Sequence, residues 1–140
     1  MDVSQVVARL QLRLADLQLR EIEQAPGLDE AMRNNKASPA AYVLPLSERG
    51  TYLPHTGTVD QLEQRLFGVL MVLDVGRRAG QVDLATVRRR VKLALVGWVP
   101  EEDPGEPITF QGGELVDLPG NGTQWWSDEF LMTGYFRSEE

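Results

Sequence analysis

The sequence predicts an α+β fold, a mostly antiparallel sheet with two principal helices packed on it. Three observations predict it. An amphipathic stripe opens the chain, a second begins near residue 84, and apolar runs of strand length lie between and beyond them. Those runs show no regular βαβ alternation, which would mark a parallel sheet. No internal repeat divides the sequence, and 140 residues suit one core, so residues 1–140 are read as a single domain.

Val3, Val7, Leu10, Leu14 and Leu17 recur at spacings of four and three, with arginines at 9 and 13 on the flanks, which predicts a helix over Asp2 to Asp16. Leu17 to Glu23 fits a short strand or a continuation of that helix. Pro26-Gly27 signals a turn, and Leu28 to Asn34 reads as one or two helical turns halted at Asn34-Asn35. Ser38-Pro39 leads into Ala40-Ala41-Tyr42-Val43-Leu44-Pro45-Leu46, a buried strand in which Pro45 must occupy an end, an edge or a bulge because it lacks a backbone donor. Residues 47–58, rich in Gly, Pro, Ser and Thr, are expected to form a long loop or hairpin tip.

Within residues 59–75, Leu62, Leu66, Leu70 and Leu73 fit helical spacing, yet Phe67 to Leu73 also reads as a strand buried on both faces. Gly68 decides for the strand, since a helix-interior glycine costs about 1 kcal/mol relative to Ala. Asp83 is the expected N-cap of a helix over 82–98, where Leu84, Val87, Val91, Ala94, Leu95 and Trp98 form one stripe and Gly97 supplies the stop. Pro100 to Pro107 reads as an acidic surface loop. Ile108-Thr109-Phe110 and Glu114 to Leu118 then flank an expected Gly112-Gly113 turn, and Trp125 to Phe136 reads as strands joined by tight turns.

Hydrophobic and charged contents of 42% and 25% are those of an ordinary globular chain. No apolar run approaches the length of a membrane span, and Met1-Asp2-Val3-Ser4 lacks the basic and apolar regions of a secretory leader, so no membrane partner and assembly in the cytoplasm are expected. The absence of cysteine excludes disulfides, thiolate nucleophiles and Cys-type zinc sites. The net charge of −7 is uneven: residues 101–140 hold ten acids against Arg137, whereas residues 1–100 hold 11 acids against 13 bases. The acidic end repels phosphates, while Arg77, Arg78, Arg88, Arg89, Arg90 and Lys92 can attract them or an acidic protein.

Chemistry-bearing constellations are sparse. The single histidine, His55, has no carboxylate in its Tyr52 to Gly57 neighbourhood and reads as a loop histidine. No serine sits in a nucleophile turn, Glu101, Glu102, Asp103 and Glu106 lack EF-hand spacing, and Gly112-Gly113 is followed by Glu114 where a phosphate loop needs Lys. Catalytic residues, metals and cofactors are therefore expected to be none, and the chain reads as non-enzymatic. Arg88, Arg89, Arg90 and Lys92 lie on a helix whose apolar face is already used, so they should point outward, to DNA phosphates or to an acidic neighbouring subunit, the second favoured by the acidity of the chain. Trp125-Trp126 sends one indole to each side of a strand, one to the core and one to an interface.

Three stretches resemble the bacteriophage tail terminator, or tail completion, family: Ala40 to Leu46 behind Ser38-Pro39, Ala94-Leu95-Val96-Gly97-Trp98-Val99-Pro100, and Gly112-Gly113-Glu114-Leu115 followed by Trp125-Trp126-Ser127-Asp128-Glu129-Phe130. With the Gln61 to Leu73 strand and the intervening helix, the resemblance covers nearly the whole chain. It departs at the end, where Leu131-Met132-Thr133-Gly134-Tyr135 is shifted by one against the family's usual threonine. The resemblance implies an α+β structural protein of the virion, in the tail or neck region, that forms a homo-oligomeric ring, usually a hexamer. Such a ring caps the tail tube protein, ends its polymerisation and docks the neck or head completion proteins, while DNA passes through the lumen without specific binding. The alternative is a head-tail adaptor or joining protein of the neck. In either role the expected interface residues are Arg88, Arg89, Arg90 and Lys92, with Trp125, Trp126, Asp128, Phe130 and Tyr135 from the aromatic end of the chain, which has more large side chains than one core needs.

Overall fold

The computed structural model describes residues 2–34, 38–54, 60–74, 82–101, 105–120 and 122–137. The elements are α1 (Ser4–Arg13), a 3-10 turn (Ala15–Leu17), β1 (Glu21–Gln24), α2 (Leu28–Asn34), β2 (Ala40–Leu53), β3 (Asp60–Asp74), α3 (Leu84–Leu95), β4 (Gly105–Asp117) and β5 (Thr123–Arg137). Five strands form one sheet in the order β1-β2-β3-β5-β4, and every pairing is antiparallel except the short β1–β2 pair. The predicted α+β class therefore holds, with one parallel edge and a third, shorter helix added.

The alternation of side chains assigns each strand residue to one of two faces. On one face Phe67, Val69, Met71 and Leu73 of β3 meet Ala41 and Val43 of β2, Ile108 of β4 and Phe130 of β5. Val3, Val6, Val7, Leu10 and Leu14 from the first helical segment, and Val87, Val91, Ala94 and Leu95 from α3, close that layer. Phe67 stacks on Phe130 with centroids 5.7 Å apart, and Phe110 meets Phe130 edge-on at 5.6 Å. Among the described residues, the other face is covered at one end, where Ala31 and Met32 of α2, with Ala25, pack against Tyr42, Leu44, Leu70, Val72 and Trp125. This two-sided burial explains the unbroken apolar run Phe67 to Leu73.

Local signals account for the helix ends. Asp83 caps α3 through its side chain, which accepts a hydrogen bond from the Thr86 amide at 2.8 Å. The exit is tied to the sheet, because the Gly97 amide donates to the Ile108 carbonyl and the Ile108 amide to that of Trp98. Gly97, at φ 87°, makes the turn that a side chain would disfavour. Pro45 sits at a register shift between Pro45 and Ser47, the bulge that its missing donor requires.

Four local expectations are corrected. Residues 47–53 are not loop: β2 continues to Leu53, exposed along most of that length and held by pairing with β3. Gly112-Gly113 is not a hairpin turn, because β4 runs straight through it with register shifts on either side. Trp125 to Phe136 is one strand, not several. The stretch Pro100 to Pro107 joins β4 from Gly105 onward. The Leu17 to Glu23 segment divides between the two readings, a 3-10 turn followed by β1. His55, Arg77, Arg78, Glu102, Asp103 and the Asn35 stop lie outside the described residues.

Candidate interaction surfaces

The basic run of α3 is placed by helical periodicity, which turns Val87, Val91 and Leu95 into the core and leaves the residues between them on the flanks. Arg88 does not point away from the molecule. Its Nε and Nη2 each lie 3.0 Å from a carboxylate oxygen of Asp128, Oδ2 and Oδ1 respectively, in a two-pronged grip. The Trp126 indole donates to the same Oδ1 at 2.9 Å, and the Arg88 guanidinium lies 4.4 Å over the Trp126 ring. Asp128 is 0% exposed, so its charge is tolerated only because these donors surround it. The tightness extends to β4: a Cβ on Gly113 would collide with Asp128 Oδ1 and come within 2.9 Å of Trp126 Nε1. Glycine there reflects close approach, and not a turn.

The neighbours of Arg88 divide. Arg89 is exposed. Arg90 reaches across to the first helical segment, where Nη2 lies 2.6 Å from Asp16 Oδ1 and also donates to the Arg13 carbonyl. That hydrogen bond, more than the accompanying charge, holds the Asp16 carboxyl below its ordinary pKa and raises Arg90. Lys92 places its ammonium 4.1 Å from the Phe110 ring centre. Two of the four bases expected to meet a neighbouring chain are thus paired with acids of their own chain.

Among the aromatic-end residues, Trp125 belongs to the core on the side of α2, while Phe130 is fully buried on the opposite side. Neither Phe130 nor Asp128 has surface to offer a partner directly. Trp126 is half-buried, its indole engaged by Arg88 and Asp128. Tyr135 is exposed, and its hydroxyl donates to Glu106 Oε1 at 2.7 Å, which with the carboxylate's charge raises the phenol pKa.

Sequence reasoning missed a second surface. Leu12 and Leu93 are 73% and 66% exposed, on the outer side of α1 and α3. A shallow groove between the helices is lined by Arg9, Arg13, Arg90, Leu93 and Ala94. Arg9 clamps the helices from within this groove: its Nε donates to the Ala94 carbonyl at 2.8 Å and its guanidinium lies 4.8 Å over Trp98. A signal existed, since Leu12 and Leu93 are large apolar residues at positions that the helical period assigns to solvent.

Among the described residues, no group of three or more His, Asp or Glu side chains is arranged to hold a metal ion. No helix among them is long and apolar enough to cross a membrane.

No curated protein matches the chain. A solved structure described as the virion of a native gene transfer agent particle has a similar fold, with a TM-score of 0.54 and 13% identity, covering 95% of this chain and 92% of that one. The family described as phage tail terminator protein matches residues 1–140. The chain, a five-stranded sheet with helices packed on it, belongs to the phage tail terminator family of virion structural proteins.

Proposed function

We propose that this chain assembles into a ring, a hexamer, on the last ring of tail tube subunits, stops tube polymerisation there and presents its outer side to the neck or head completion proteins. The family match over residues 1–140 is the observation that carries this reading. Physics makes the role intelligible: a subunit that adds to a polymer end on one side, and presents nothing equivalent on the other, halts growth. The lateral contacts of such a ring are heterologous and must close by rotation. An acidic lumen would let DNA pass without sticking, in keeping with the net charge of −7.

The test is a tube elongation assay with the tail tube protein of the same particle. Substoichiometric addition of this chain should shorten the tubes and saturate at one ring per end. Unchanged tube lengths, together with retention on portal-side neck proteins in a pull-down, would replace the terminator role with that of a head-tail adaptor.

A further inference from the structure

The two broad sides of the molecule are unlike in a complementary way. On the helical side, α1, the 3-10 turn and α3 carry Arg9, Arg13, Arg88, Arg89, Arg90 and Lys92, of which Arg88 is taken up by Asp128, against Asp16, with Asp2 and Asp83 at the helix starts and Glu101 near Leu12. Leu12 and Leu93 stand exposed among these bases. On the opposite side of the sheet, strand alternation and register bring Glu129 of β5 beside Gly112 and place Glu114 opposite Ser127 and Glu106 opposite Thr133. The same side carries Leu131 paired with Leu66, and Leu46, which is 45% exposed and approaches Gly68. Arg49 of β2, aligned with Gln64 of β3, and Arg137 of β5, aligned with Asp60, are the bases that the register adds to this side among the described residues of β2 to β5.

We propose that the side formed by α1 and α3, centred on Leu12, Arg13, Arg89 and Leu93, docks on the opposite side of the sheet of a second copy, beyond the end that α2 covers, centred on Leu46, Glu106, Glu114 and Leu131. Each side joins leucines, exposed at Leu12, Leu93 and Leu46 and half-buried at Leu131, to a predominance of one sign of charge, and exposed apolar residues with arginine at their rim suit the anatomy of a protein interface. Because the basic side and the acidic side lie on opposite faces of one subunit, self-pairing of either side would set like charges together. Head-to-tail pairing sets opposite charges together, and it is the heterologous geometry that a ring needs. The inference rests on the ring reading and names the surfaces that build it.

The test is native mass spectrometry of wild type and of charge-reversed variants at low and high salt. Arg13→Glu with Arg89→Glu should disperse the ring, as should Glu106→Arg with Glu114→Arg. All four positions are exposed, so each variant should keep the wild-type circular dichroism and melting curve. Each single-side variant should weaken association by roughly tenfold or more at low salt. Mixing the two variants should restore rings in which they alternate, because every contact then pairs opposite charges, and the fourfold variant should assemble alone. Rings formed by both single-side variants as readily as by wild type would overturn the assignment of surfaces while leaving the ring intact. So would a mixture that fails to reassemble. A wild type that remains monomeric at all concentrations and on tube ends would overturn the ring itself.

Discussion

Arg88 and Asp128, one on α3 and one on β5, form a two-pronged ion pair in which the carboxylate is fully enclosed and the guanidinium keeps 27% of its side-chain surface. The pair ties the helical layer to β5, which lies between β3 and β4 in the sheet, and Trp126 completes it from the same strand.

Arg88→Ala should therefore be costly. It leaves the Asp128 charge buried with the indole as its remaining side-chain donor, and removing one partner of such a pair costs about 3 kcal/mol, even allowing for the exposed edge of the guanidinium. Denaturant unfolding of Arg88→Ala and Asp128→Asn will measure it. The arginine variant should be the less stable of the two, and a loss within the error of the extrapolation would contradict the burial of the pair.

Trp126→Phe keeps a ring beneath Arg88 but removes the indole donor, and should lower stability by about 1.5–3 kcal/mol, the worth of one hydrogen bond to a charged group. Trp125→Ala should lose about 3–5 kcal/mol, because it empties a buried site on the other face of the sheet. Thermal melts of the two separate a lost polar contact from a lost volume.

Gly113→Ala should destabilise by about 1–3 kcal/mol, since the added methyl group would press on Asp128, Trp126 and Arg88 at once and the interior must shift to admit it. Gly27→Ala is the control, with nothing within 4 Å of the new carbon. Equal melting temperatures for the two variants would show that the β4 approach is loose.

The Asp16–Arg90 bond gives a pH signature. Because Asp16 has its folded pKa lowered, first by the Arg90 hydrogen bond, the bond stabilises the protein above the carboxyl's unfolded value, and the benefit is lost as pH falls through the lowered folded value. Wild type should thus be more stable than Asp16→Asn near neutral pH, with the difference disappearing in acid and shrinking in salt. A difference that persists below the lowered pKa would mean that the asparagine fails for another reason.

Val91→Asp tests the placement of α3. Val91 is wholly buried, and an unpaired carboxylate there should prevent folding. Soluble protein with cooperative unfolding would refute the packing of this helix on the sheet.

The α3 stripe was legible because burial of one helical face leaves a periodic trace, and Asp83 and Gly97 added end signals. The Phe67 to Leu73 strand was legible because both its faces are covered. Residues 47–53 were not: Ser47, Glu48, Arg49 and Gly50 are solvent-exposed, so backbone pairing with β3 holds them in a strand and leaves no hydrophobic alternation to read. Gly112-Gly113 misled for a related reason, since a glycine pair marks a turn and a bulge alike and only the packing of Asp128 against Gly113 tells them apart. Arg88 looked like a solvated base because its partner stands 40 residues further along the chain. The helical-side leucines were visible in the sequence as exceptions to the stripe.

The most direct test of the account is electron cryomicroscopy of tail tube ends with this protein bound, averaged and viewed down the axis. The account predicts a single closed ring of six copies at the tube terminus and nowhere along the tube, with the helical layer of each copy facing the sheet of the next. Decoration along the tube, an open chain of subunits at its end, or bare ends beside a ring held only by portal-side proteins would contradict it.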